Sequence, residues 1–227
     1  SLADNHVAVL QEGGRYFEHF LWLFDLKNSS AINRKVACIT DIDPIRKKKG
    51  VKGATFTKCY PYEYGIEDEI YEYQYNTALI EKYPTQEDSN IQIFSQNKKD
   101  GKTLEYQLAL DNPSSTLLLT ESISNANEIE ELMNMLNQKS VDDMLERLYD
   151  SMENNRIKTA IQKSKWEDYE KKKAIIASRY LNSVGKGENA LELASLLKDN
   201  LLLKGTDGYK EFIIPDYILN AIKWVCK

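Results

Sequence analysis

A chain of 227 residues is long enough to bury a real core, as one large domain or two small ones. Its 42% apolar content fits a globular protein, and no stretch approaches the ~20 apolar residues of a membrane-spanning helix. The net charge of −5 excludes a generic polyanion binder, while three scattered cysteines and two histidines exclude a disulfide framework and a histidine-based zinc site.

Residues 6–10 (His-Val-Ala-Val-Leu) read as a strand. Gly13-Gly14 makes a tight turn, and residues 16–24 carry Phe17, Phe20, Leu21 and Phe24 at helical spacing. Residues 28–33 are a polar link. The run Val36-Ala37-Cys38-Ile39 is short, apolar and β-branched-rich, as in a buried parallel strand, and Pro44 closes it. A helix between two strands implies a right-handed parallel crossover.

Asp41 and Asp43 follow the second strand at its carboxyl end, the edge where open α/β sheets bind ligands. Side chains two apart on a strand point the same way, so the two carboxylates repel unless a cation lies between them. Hard oxygen donors select magnesium or manganese. Read alone, the pair fits two solvated loop residues equally well. Arg46, Lys47, Lys48, Lys49 and Lys52 come next, and cations beside a metal-binding pair suit a phosphate. A second basic cluster, Lys158 to Lys173, reads as a solvated helix face.

Residues 44–75 are expected to be largely irregular. The tyrosines of 60–75 are interleaved with acids and are expected to pack on the body rather than stack on bases. Residues 91–95 alternate as a third strand, 98–101 are a loop, and Thr103 caps a helix over 102–110. Glu105 falls in its first turn, near the same sheet edge as the aspartates; the helix dipole alone also favours a glutamate there. From residue 114 the pattern is helical: apolar stripes run over 125–136, 141–152, 159–181 and 190–197. A last helix over 218–225 follows Pro215. The cysteine usage and the absence of a secretory leader predict a cytoplasmic protein.

Four segments together carry a family resemblance: Gly13-Gly14-Arg15-Tyr16-Phe17, Ile39-Thr40-Asp41-Ile42-Asp43, Lys102-Thr103-Leu104-Glu105-Tyr106 and Val184-Gly185-Lys186-Gly187. In order and context they resemble the TOPRIM domain of OLD-family nucleases, and Phe212-Ile213-Ile214-Pro215-Asp216-Tyr217-Ile218 resembles that family's C-terminal helix entry. Such proteins join an ABC-type ATPase to a TOPRIM domain that cuts DNA with divalent metals. The resemblance implies an α/β core with a TOPRIM-like parallel sheet over residues 1–112 and a helical region over 113–227 that packs on it and completes the site. It implies Asp41, Asp43 and Glu105 as ligands of Mg2+ or Mn2+ in a two-metal centre. Lys186 would be the catalytic cation, Thr40 an aid to the second metal, and Arg46, Lys47 and Lys48 phosphate contacts. DNA, an upstream ATPase domain and a homo-oligomer are the implied partners, with no membrane.

The family's first strand and glutamate have no counterpart ahead of Gly13, and no P-loop pattern occurs. The chain thus reads as a C-terminal piece with little nuclease activity alone. Two other readings remain: a non-catalytic interaction module, and another TOPRIM activity such as primase or topoisomerase. A topoisomerase needs a nucleophilic tyrosine in a separate domain not seen here.

Overall fold

The computed structural model describes residues 2–11, 18–86, 88–185 and 187–227. A 3-10 turn (Ala3–Asn5) precedes a short helix, α1 (Glu18–Leu21), and the parallel sheet begins with β1 (Val36–Ile39). Residues 6–10 are not a strand: His6 closes the 3-10 turn at positive φ, and residues 7–10 have no sheet partner among the described residues, with Val9 and Leu10 exposed. Alternation supplies strand propensity, but only a paired edge satisfies the backbone groups.

The basic segment expected as a loop is instead β2 (Ile45–Lys48). It pairs antiparallel with β3 (Thr57–Lys58) and β4 (Tyr71–Gln74). Cross-strand chemistry explains it, since Lys47 lies opposite Glu72 and forms an ion pair at 3.0 Å. The chain leaves β2 through Gly50 and Gly53, both at positive φ, a conformation glycine adopts at no steric cost. Between β3 and β4, Tyr60 and Tyr62 are buried and stack with ring centres 5.0 Å apart; this segment packs on the body.

Helix α2 (Ala78–Lys82) leads to β5 (Ile91–Phe94), which pairs parallel with β1, Val36 opposite Ile91 through Ile39 opposite Phe94. One face of this two-stranded sheet buries Cys38, Ile91 and Ile93 with Leu21, covered by Phe24, Leu79, Ile80 and Tyr83. Helix α3 (Leu104–Asp111) follows, its Thr103 cap accepting from the Tyr106 amide.

The rest of the chain is helical: α4 (Ala126–Met135), α5 (Val141–Arg147), α6 (Met152–Lys163), α7 (Asp168–Leu181), α8 (Glu188–Leu202) and α9 (Asp216–Val225). The single stripe expected over 159–181 is two helices. Ser164 turns extended after α6, and its hydroxyl accepts the Trp166 amide, a local bond that competes with the helix. Helix α7 lies against α3, and the large core joins Tyr60, Tyr62, Tyr106 and Leu110 to Ile129, Leu132, Ile157, Ile161, Ile175 and Ile176. Helix α9 crosses the second face of the parallel sheet, with Trp224 and Phe94 ring centres 6.1 Å apart. Among the described residues no helix is long and apolar enough to cross a membrane.

Candidate metal site at the carboxyl edge of the parallel sheet

Because β1 and β5 are parallel, both end at one edge. The ladder runs one residue past β1, the nearly buried Thr40 donating its amide to the Phe94 carbonyl at 3.0 Å. The backbone then turns. The Ile42 amide donates to Gln96 Oε1 at 3.0 Å, and Asp43 sits in the left-handed region (φ 34°) with its amide on the Lys102 carbonyl at 3.1 Å. Aspartate tolerates that conformation better than most residues. Strand alternation has ended, so the two aspartates acquire different partners.

Asp41 is half-buried, and Gln96 Nε2 donates to its Oδ1 at 2.9 Å. Burial pushes its carboxyl above the usual range, and repulsion from Asp43 and Glu105 adds to the rise. The Gln96 hydrogen bond and the Leu104 amide at the start of α3 hold it back. The charge of Glu105 also reaches Tyr180 and Tyr217, whose phenols burial drives up. Glu105 therefore shares the edge with Asp41. Asp43 is only 2% exposed, and its Oδ2 accepts from Lys58 Nζ at 3.0 Å. Lys102, also buried, donates from Nζ to the Cys59 carbonyl at 2.8 Å; burial lowers its pKa and Asp43 raises it.

Among the described residues no three His, Cys, Asp or Glu side chains gather as a ready metal-holding group. Asp43 is charge-compensated by Lys58, while Asp41 is crowded by like charge. Magnesium keeps several waters and binds through one or two carboxylates, so Asp41 and Glu105, whose charges reach one another, are the residues that would hold a single hydrated cation here. Any two-metal arrangement needs donors beyond these.

The remaining residues singled out in the sequence are scattered. Arg46 reaches Glu63 at 3.1 Å and Lys47 reaches Glu72 at 3.0 Å, so acids of the second sheet and its flanks hold both cations; Lys48 is exposed at the end of β2. Lys186 and residues 12–17, with Gly13 and Gly14, lie outside the described residues. The helix after Lys186 is tied toward Glu105: Asn189 accepts from Tyr180 Oη at 3.2 Å, and Tyr180 feels the Glu105 charge.

Gln96 and Lys58 are not signalled by any motif in the sequence, and Lys102 and Tyr217, although they fall in the segments that carry the resemblance, show no site role there. The one available signal was that Gln96 and Lys102 flank the loop between β5 and α3, at the edge where the aspartates were expected. No family model matches the chain, and neither does any curated protein or solved structure.

Proposed function

We propose that this chain carries the DNA-cleaving centre of a metal-dependent nuclease of the OLD-family TOPRIM kind. The observation that supports it is Asp41, a half-buried carboxylate at the carboxyl edge of a parallel sheet, crowded by Asp43 and Glu105. Asp41 and Glu105 would hold Mg2+ or Mn2+. Such a cation lowers the pKa of a bound water and offsets charge on the scissile phosphate. Asp43, paired with Lys58, fixes the turn that brings Asp41 to the edge. Lys186, by its place in the Gly-Lys-Gly motif, would stabilise negative charge that develops on the phosphate. Thr40 would assist a second cation, and Lys48 would contact the DNA backbone, joined by Arg46 and Lys47 on release of their acids. An ATPase domain in the same protein, self-assembly and a cytoplasmic setting complete the proposal.

A non-catalytic interaction module is the second reading. The absence, among the described residues, of a three-ligand group favours it. Plasmid nicking by the whole protein across magnesium and manganese concentrations separates the two. The nuclease reading expects metal-dependent nicking that Asp41→Asn abolishes in a folded protein. Nicking that persists in the variant removes Asp41 from the chemistry, and no nicking under any metal favours the module.

A further inference from the structure

We infer that Gln96 is the positioning residue of this centre, holding Asp41 in the one orientation that faces the cation. The inference rests on Asp41 being a ligand. Gln96 is 3% exposed and lies just past β5. Its carboxamide makes three hydrogen bonds: Oε1 accepts the Ile42 amide at 3.0 Å, and Nε2 donates to Asp41 Oδ1 at 2.9 Å and to Tyr217 Oη at 3.1 Å.

The arrangement has a single workable sense. The Ile42 amide is a donor and needs Oε1, and the Asp41 carboxylate is an acceptor and needs the NH2 group. A flipped amide would set donor against donor and oxygen against carboxylate. Both Nε2 protons are used, so the group cannot swivel without losing a bond in a site where water does not replace it. The amide therefore pins Asp41 Oδ1 and the backbone one residue on.

Tyr217 extends the control. It is a buried residue in the first turn of α9, the helix that crosses β1 and β5. Through Gln96 the seating of α9 is coupled to the direction of Asp41, so the C-terminal helix bears on the cation site without supplying a ligand to it.

The test uses the whole protein, with Mn2+ as the probe. Calorimetry gives its affinity, electron paramagnetic resonance the symmetry of its coordination, and melting in EDTA the stability of the metal-free fold. Gln96→Met keeps the volume and removes all three bonds. The expected loss is about 10–100-fold in Mn2+ affinity with a changed resonance line shape, the range typical of a residue that orients a ligand. Tyr217→Phe, which frees the amide but leaves Asp41 and Ile42 untouched, gives a smaller loss in the same direction.

A lower melting temperature with wild-type Mn2+ affinity and line shape in Gln96→Met overturns the inference, because a purely structural residue would behave so. Should Gln96→Met not fold, Gln96→Asn, a carboxamide one carbon too short to span from the Ile42 amide to Asp41, takes its place, and wild-type affinity and line shape there overturn the inference equally; wild-type affinity in Tyr217→Phe overturns the coupling to α9. A wild-type protein that binds no Mn2+ overturns the ligand assignment of Asp41 itself, a result distinct from either.

Discussion

Glu63→Ala is expected to destabilise the chain by about 3 kcal/mol. Glu63 is 3% exposed and accepts the Tyr60 amide at 2.6 Å, Arg156 Nε at 3.0 Å and Nη2 at 2.7 Å, while Arg46 stands 3.1 Å away. Removing one partner of a fully buried ion pair costs about 3–5 kcal/mol. The Arg46 and Arg156 side chains are 18% and 33% exposed, so water recovers part of that loss. The Tyr60 amide is buried with its residue, and leaving it without an acceptor adds about 1 kcal/mol. For a chain of this size the total lowers the melting temperature by about 6–12 °C. The knot also matters to the site. Arg156 donates to the Lys58 carbonyl, next to the Cys59 carbonyl that takes Lys102, and Lys58 holds Asp43. Urea unfolding followed by circular dichroism measures the effect. A variant within about 0.5 kcal/mol of wild type, the range of an ordinary surface substitution, would refute this account of the Glu63 knot.

Asp111 closes α3, where a carboxylate opposes the helix dipole, and burial raises its pKa while the Gln107 hydrogen bond and Lys173 hold it back. The folded chain thus binds that proton more readily than the unfolded chain, so ionisation costs stability as pH rises above the ordinary carboxylate range. Asp111→Asn should stabilise the protein at neutral pH by about 0.5 kcal/mol from the helix end alone, with the gain fading as pH falls into the carboxylate range and gone below about pH 4. A gain that does not fade in unfolding curves at acid pH contradicts this. Lys186→Ala should lower DNA cleavage far more than DNA binding, read by nicking and by filter retention; equal losses would make it a plain phosphate contact.

The extent to which the site can be read from sequence differs residue by residue. The strands β1 and β5 follow from short β-rich runs, and α3 from Thr103 and its apolar spacing. Those are local preferences, and the structure keeps them. The direction of Asp43 is not local: its left-handed backbone is held by the Lys102 carbonyl, 59 positions along the chain, and strand alternation misplaces its side chain. Gln96 was silent because its partners lie 54, 55 and 121 positions away, and nothing in a lone glutamine announces them. The strand β2 is basic and short, and its pairing is specified by Tyr71, Glu72 and Tyr73 across the sheet rather than by its own residues. Residues 6–10 show the converse, a strand pattern that found no edge among the described residues.

The most direct measurement is anomalous diffraction from crystals of the whole protein soaked in manganese. The account predicts a manganese peak bounded by the carboxylates of Asp41 and Glu105, with Asp43 still on Lys58, and loss of that peak in Asp41→Asn. A peak that touches neither carboxylate, or one that survives the substitution, would contradict it.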